Sequence, residues 1–203
     1  MKLGVLGGTF DPIHLGHLLI AEQARDELGL QQVLFVPAGT PPHKPHQVIS
    51  PEHHRLAMLE LALATHPAFA LSRVDLDRPG PSYTADTLAL LRAAWGPAVR
   101  MHFILGADSL AELLTWHQPW RLIQQARLAV ADRPSCKVDL AELERGLPGL
   151  QAVVDWVSMP EVGISATDIQ RRVRAGRSIR YQVPAAVEAY IYTHSLYRHS
   201  EER

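Results

Sequence analysis

The sequence predicts an α/β protein with a doubly wound parallel sheet. Two observations lead to this fold class: short apolar runs suited to buried strands recur along the chain, and stretches with the apolar spacing of helices separate them. Strands that alternate with helices form a parallel sheet covered by helices. Because the connections are short, we expect each crossover between parallel strands to be right-handed.

The elements follow one another in a regular order. Strands are expected in six apolar runs, at residues 2–6, 33–36, 69–74, 102–105, 128–131 and 153–157. Helices are expected where apolar residues have helical spacing, at 15–28, 53–64, 85–94, 110–116 and 140–147. The only long irregular segment predicted is the proline-containing stretch 40–50.

The tail of the chain changes character after Pro160. Residues 165–175 have the pattern of a basic amphipathic helix, and a second helix over 184–196 opens with proline in its first turn. We therefore expect one domain over 1–203, in which 161–203 forms a small helical C-terminal subdomain.

Composition narrows the class of protein. The chain has 203 residues, of which 47% are hydrophobic and 20% charged, as in ordinary globular domains. Its net charge of −1 argues against general nucleic-acid binding, and neither a signal peptide nor an apolar run long enough for a membrane span is evident. A single cysteine, Cys136, forms no internal disulfide, which fits a reducing compartment. We expect a cytoplasmic protein without nucleic-acid or membrane partners. The sequence does not decide whether the chain forms a homo-oligomer.

The most informative motif is the string GGTFDPIHLGH at residues 7–17, between the first strand and the first helix. Gly7 and Gly8 allow close backbone approach, and His14 and His17 share one face of the first helical turn. Unpaired N–H groups and the helix dipole favour an anion there, which predicts a phosphate site. The alternative is zinc, but the spacing lacks the glutamate of His-Glu-x-x-His and no thiolate cluster is available.

A second candidate site is the string GISATDI at residues 163–169, ahead of the basic helix. Ser165 is well placed as the N-cap of that helix, and capping alone would explain its presence. However, Ser165, Thr167 and the exposed amides of the helix start could also bind a second phosphate group. Arg171 and Arg172 add positive charge nearby.

A third candidate is the string GADS at residues 106–109, directly after a predicted strand. Ligands bind beyond the carboxyl ends of strands in open α/β sheets, and a carboxylate such as Asp108 can accept hydrogen bonds from ribose hydroxyls. Helix capping by Asp108 or Ser109 is the alternative. Trp116 fits either the core or a platform that stacks on a flat cationic ring.

Together with TPPHK at 40–44 and PSYTADTL at 81–88, these strings resemble the bacterial nicotinate-nucleotide adenylyltransferase family. The string at 7–17 is similar to the (His/Thr)-x-Gly-His motif of nucleotidyltransferases, and Ile-Ser-x-Thr to their second phosphate motif. The resemblance runs in consistent order over nearly the whole chain. One departure is Gln170, where the family commonly has arginine; Arg171 or Arg172 would have to take over its contact.

The resemblance implies a Rossmann-like nucleotidyltransferase fold and transfer of AMP from ATP to nicotinate mononucleotide, giving nicotinate adenine dinucleotide and pyrophosphate in NAD biosynthesis. It implies that His14 and His17 are catalytic. The ATP contacts expected are Gly8, Thr9, His14, His17, Ser165, Thr167, Arg171 and Arg172. The mononucleotide contacts expected are Lys44, Tyr83, Thr84, Asp108 and Trp116. Mg²⁺ is expected to accompany ATP, held by phosphate oxygens and water, with no protein metal ligand.

Three alternatives compete with this interpretation. Pantetheine-phosphate adenylyltransferases usually have threonine at the position of His14 and lack the strings at 40–44 and 81–88. A catalytically silent nucleotide-binding regulator would share the same fold. A fragment of a tRNA synthetase is disfavoured because the chain is short and lacks both an anticodon-binding domain and a Lys-Met-Ser-Lys-Ser motif.

Overall fold

The computed structural model describes residues 1–41, 49–132, 136–160 and 162–198. Its strands are β1 (Lys2–Gly8), β2 (Gln32–Pro37), β3 (Phe69–Leu71), β4 (Arg100–Gly106), β5 (Arg127–Ala131) and β6 (Val154–Val157). Its helices are α1 (Leu15–Leu28), α2 (Glu52–Leu63), α3 (Thr84–Trp95), α4 (Ala107–Ala111), α5 (Pro119–Gln125), α6 (Leu140–Gly146), α7 (Ala166–Arg174) and α8 (Ala185–Thr193). Two short 3₁₀ turns lie at Leu113–Thr115 and Gln151–Val153.

The six strands form one sheet in the order β3-β2-β1-β4-β5-β6, and every neighbouring pair is parallel. This confirms the predicted doubly wound α/β fold. The chain leaves β1 in one direction toward β2 and β3, then returns to the other side of β1 at β4. Ligands of open α/β sheets bind at such a switch point, beyond the carboxyl ends of the two central strands.

Side chains alternate between two cores, one on each face of the sheet. On β1, Leu3 and Val5 face the core covered by α3, whereas Leu6 faces the core covered by α1 and α2. Helices α7 and α8 pack on this second face, where they bury the apolar side chains Ile169, Val173, Val187 and Ile191. Within the part of the chain that the structure describes, no helix is long and apolar enough to cross a membrane.

The largest differences from the prediction lie in three parts of the chain. The helix expected over 110–116 is the short helix α4 followed by a 3₁₀ turn, and α5 after it was not predicted, although its Pro119 at the helix start was a signal for it. Strand β3 ends at Leu71 because the chain then enters a turn, in which the backbone N–H of Leu76 donates to the carbonyl of Arg73. Helix α8 ends at Thr193, since Ser195 adopts a left-handed φ of 51°.

Candidate active site

A cavity of about 630 Å³ opens at the carboxyl ends of β1 and β4. Its lining combines the turn after β1, the turn after β4 and the start of α7, which are distant in sequence. The predicted site residues among its lining are Gly8, Thr9, His14, His17, Asp108, Trp116, Ser165 and Thr167. The structure therefore brings the two predicted phosphate motifs together on one cavity large enough for a nucleotide.

Glycines in the first motif make room for aromatic rings of the same motif. A Cβ on Gly8 would lie 3.0 Å from the ring of Phe10, and a Cβ on Gly16 would lie 3.1 Å from the ring of His14. Phe10 is buried and turns its ring against His17, with the two ring centroids 5.0 Å apart in an edge-on contact. The contact with Phe10 helps to orient the His17 ring, and the lack of a Cβ at Gly16 leaves room for the His14 ring.

The two histidine rings stack on each other, with centroids 3.6 Å apart and ring planes 21° from parallel. The backbone N–H of His14, at the N-cap of α1, donates a hydrogen bond to Nδ1 of His17 at 3.3 Å. Because Nδ1 accepts in this bond, a neutral His17 carries its proton on Nε2. The imidazole thus presents Nε2–H as a donor at the positive end of the α1 dipole.

The opposite wall of the cavity is the start of α7. Ser165 is the N-cap residue, and its Oγ accepts a hydrogen bond from the backbone N–H of Asp168 at 3.2 Å, which confirms the predicted cap. Thr167 lies in the first turn and lines the same cavity. Two helix N-termini, of α1 and α7, therefore face one cavity, an arrangement suited to a polyphosphate.

Gln170 joins the two phosphate motifs directly. Its Nε2 donates a hydrogen bond to the backbone carbonyl of Asp11 at 2.7 Å, and its Oε1 accepts one from Arg174 at 3.2 Å. The position at which the family commonly has arginine therefore faces the turn after β1.

The neighbouring arginines of α7 point elsewhere. Arg171 forms an ion pair with Asp168, and Arg172 donates from Nε to the Ser178 carbonyl at 2.8 Å. Neither lines the cavity formed by the described residues. Their predicted contact with ATP stays a prediction.

On its other side the cavity adjoins a smaller pocket of about 120 Å³, and Trp116 lines both. The Trp116 ring meets Phe103 edge-on, with centroids 6.0 Å apart. Thr84 lines the smaller pocket. Tyr83 does not line it, and its ring stacks on the ring of His117 with the two centroids 4.1 Å apart. Lys44 lies outside the described residues.

Sequence reasoning missed the carboxylate of this smaller pocket. Asp75 is buried, accepts a hydrogen bond from Thr87 Oγ1 at 2.8 Å and forms an ion pair with Arg78 at 2.9 Å. It belongs to none of the predicted motifs, and only the folded chain brings it to the pocket. Ser82 was noted only as part of a string; its Oγ accepts hydrogen bonds from the backbone N–H groups of Gly39 and Thr40.

The sheet order and the two helix N-termini at one cavity are typical of nucleotidyltransferases. A family model described as cytidylyltransferase-like matches residues 5–172, which is most of the chain. The class predicted from the two phosphate motifs is thereby confirmed.

The chain belongs, within that class, to the nicotinate-nucleotide adenylyltransferase family. It is 53% identical to a probable nicotinate-nucleotide adenylyltransferase of Thermomicrobium roseum, over 97% of this chain and 92% of the relative. Two solved structures of a Plasmodium falciparum nicotinic acid mononucleotide adenylyltransferase share its fold. The one complexed with NaAD has a TM-score of 0.78 at 17% identity and covers 97% of each chain. The one complexed with APC has a TM-score of 0.76 at 18% identity and covers 97% of this chain and 96% of that one.

Proposed function

We propose that this chain transfers AMP from ATP to nicotinate mononucleotide, giving nicotinate adenine dinucleotide and pyrophosphate in NAD biosynthesis. The observation that carries the proposal is a cavity with two helix N-termini and two stacked histidines on its phosphate side, joined at Trp116 to a smaller pocket on the mononucleotide side. The family to which the chain belongs and the NaAD and APC complexes of its structural relatives support nucleotide substrates.

The reaction needs alignment more than acid–base chemistry. The second pKa of a phosphate monoester is about 6, so the mononucleotide phosphate is already largely ionised at neutral pH. One of its oxygens attacks the α-phosphorus of ATP, a new P–O bond forms, and the bond from the α-phosphorus to the bridging oxygen breaks as pyrophosphate leaves. The enzyme has to bring two anions into line and stabilise the charge that shifts onto the leaving group.

The phosphate side of the cavity supplies that stabilisation. His14 and His17 act as catalytic donors to ATP phosphates, and Thr9 with the backbone at Gly8 assists them. The turn containing Ser165 and Thr167 holds the outer phosphates against the start of α7. Arg171 and Arg172 add positive charge near this end of the nucleotide.

The mononucleotide binds on the other side of the cavity, next to the smaller pocket. Asp108, on the first turn of α4, binds a ribose hydroxyl, and Trp116 stacks on the pyridine ring. Thr84 lines the ring pocket, and the contacts of Tyr83 and Lys44 with the mononucleotide stay predictions.

We propose that Mg²⁺ enters the site as a companion of ATP. Mg²⁺ keeps several waters and is bound through substrate phosphates plus one or two carboxylates. Among the described residues no group of three or more His, Cys, Asp or Glu side chains is placed to hold a metal by itself. We propose that phosphate oxygens and water hold the ion, which when bound neutralises phosphate charge. The single domain with a helical C-terminal part, the cytoplasmic location and the absence of nucleic-acid partners stay predictions.

Pyrophosphate release tests the function. The purified chain is incubated with ATP and Mg²⁺, and with either nicotinate mononucleotide or nicotinamide mononucleotide, and the dinucleotide product is identified by mass. We expect release with the acid substrate and a slower rate with the amide. A folded chain that binds both nucleotides and releases no pyrophosphate would contradict the proposal and indicate a silent regulator on the same fold.

A further inference from the structure

Arg55 on α2 is a buried arginine close to the cavity that lies outside every motif of the sequence. Only 3% of the surface of Arg55 is exposed to solvent. A guanidinium in such a place needs acceptors for its N–H groups, since burying a charge without partners is costly. Burial lowers the pKa of Arg55, and the nearby carboxylates of Asp11 and Glu52 oppose that shift.

Three backbone carbonyls from three separate segments accept its hydrogen bonds. Nη1 donates to the Thr9 carbonyl at 3.0 Å and to the Ala38 carbonyl at 2.9 Å. Nε donates to the Ser50 carbonyl at 3.2 Å. Thr9 belongs to the phosphate side of the cavity, and Ala38, which follows β2, lines the smaller pocket on the mononucleotide side. One planar group thus spans both halves of the site.

Asp11 extends this connection to the C-terminal end of the described chain. Its carboxylate accepts hydrogen bonds from the backbone N–H of Ser50 at 2.8 Å and from the hydroxyl of Tyr197 at 2.5 Å. Burial and the Asp11 charge raise the pKa of Tyr197, so the hydroxyl stays protonated and donates. The turn that carries the two histidines is therefore held from α2, from Tyr197 and, through Gln170, from α7.

We propose that Arg55 is a positioning residue that keeps the phosphate side and the mononucleotide side of the cavity in register. It touches neither substrate; it fixes the distance between the backbone at Thr9 and the backbone at Ala38. The inference rests on the proposed function, because in-line attack requires the mononucleotide phosphate and the α-phosphorus to be aligned across these two sides. Loss of register by about 1 Å can cost on the order of 100-fold in rate while each half still binds its own ligand.

Arg55→Lys is the sharpest variant. The ammonium keeps the positive charge but lacks the planar fork that reaches three carbonyls at once. We expect kcat to fall by about 10- to 100-fold, while the dissociation constants for ATP and for the mononucleotide, each measured alone by calorimetry, change less than about threefold. The stoichiometry of the same titrations gives the fraction of active protein, so a loss through unfolding is visible.

Arg92→Lys is the matched control. Arg92 also donates to several backbone carbonyls, among them those of Val99 and Gln125, which lie at the amino ends of β4 and β5. We expect a lowered Tm with an unchanged kcat per active molecule. If Arg92→Lys lowers kcat as much as Arg55→Lys, the effect is general destabilisation and the proposal is wrong.

Arg55→Gln provides a second variant. Its shorter amide can reach the Ser50 carbonyl but not the Thr9 and Ala38 carbonyls that Nη1 holds, so we expect at least as large a loss of kcat as in Arg55→Lys, with the same preserved affinities. A wild-type kcat in either folded variant overturns the proposal, as does loss of affinity for one substrate alone. If both variants fail to fold, Arg55 is a stability residue and the positioning role is rejected. An inactive wild-type chain would instead reject the proposed function itself.

Discussion

The phosphate side of the cavity is assembled from two short local strings, whereas the mononucleotide side draws on many separate parts of the chain. On the phosphate side, the glycines and histidine rings of residues 7–17 pack against one another within that string. The string at 163–169 likewise supplies the N-cap of the helix that follows it. On the other side, Asp75, Thr84, Phe103 and Trp116 meet only after folding. Phosphate binding therefore depends mainly on local backbone geometry, and recognition of the mononucleotide mainly on tertiary packing.

The largest effect is expected on the phosphate side, for His17→Ala. Loss of one preorganised donor to the transition state should lower kcat by about 100- to 1,000-fold with little change in Tm. Steady-state pyrophosphate release and a thermal melt measure the two quantities. His66→Ala is the control, because His66 pairs with Glu22 and stacks on Phe69 away from this cavity. A near-normal kcat in folded His17→Ala would exclude the catalytic role.

Gly39→Ala should disturb the mononucleotide side alone. An added Cβ would lie 2.6 Å from the backbone carbonyl oxygen of Asp75, so the backbone has to shift. Overpacking of this kind costs about 1 to 3 kcal/mol of folding stability, so we expect a lowered Tm. Because Ala38 and Asp75 both line the smaller pocket, the backbone shift should also weaken mononucleotide binding. Calorimetry with each substrate separately gives the comparison.

A suitable control for Gly39→Ala is Gly146→Ala, in which the added Cβ meets only the flexible side chain of Leu114. It should leave both affinities unchanged. Equal weakening of ATP and mononucleotide in Gly39→Ala would show that the two sides do not respond independently.

Trp116→Ala tests the aromatic part of the mononucleotide side. If the indole stacks on the cationic pyridine ring, its removal should weaken mononucleotide binding by about 0.5 to 2 kcal/mol and nearly spare ATP. Trp156→Ala, at an exposed position of the edge strand β6, controls for loss of a tryptophan. An equal loss for both ligands would indicate that Trp116 supports the core instead.

The contrast between the two sides also explains how much the sequence could predict. The histidine pair, the Ser165 cap and the doubly wound sheet depend on periodicity and on local spacing, which are visible in a linear string. Asp75 and Arg55 carry no such signal, because a charged residue on a turn or helix normally faces solvent. The burial of Arg55 depends on the carbonyls of Thr9, Ala38 and Ser50 converging on it, which only the folded chain shows.

The directions in which successive side chains leave α7 explain why Gln170, and not Arg171, faces the first phosphate motif. Successive residues of a helix are about 100° apart, so adjacent positions cannot all face the same neighbour. The structure turns Gln170 toward Asp11 and leaves Arg171 on the exposed side with Asp168. Spacing alone did not reveal which of the three positions faces the phosphate motif.

The smallest effect is expected for Arg171→Ala, on the phosphate side. Its guanidinium is solvent-exposed and already paired with Asp168, so it acts on ATP through charge at a distance. Exposed pairs of this kind are worth about 0 to 1 kcal/mol, and we expect ATP affinity to fall by no more than that, and less in high salt. Arg172→Ala, which also removes the bond to the Ser178 carbonyl, should behave similarly. A loss of about 1.5 to 3 kcal/mol in one variant alone would show that this arginine makes a direct charged hydrogen bond to the outer phosphates. In that case the phosphate side, too, would depend on a side chain that local spacing does not place.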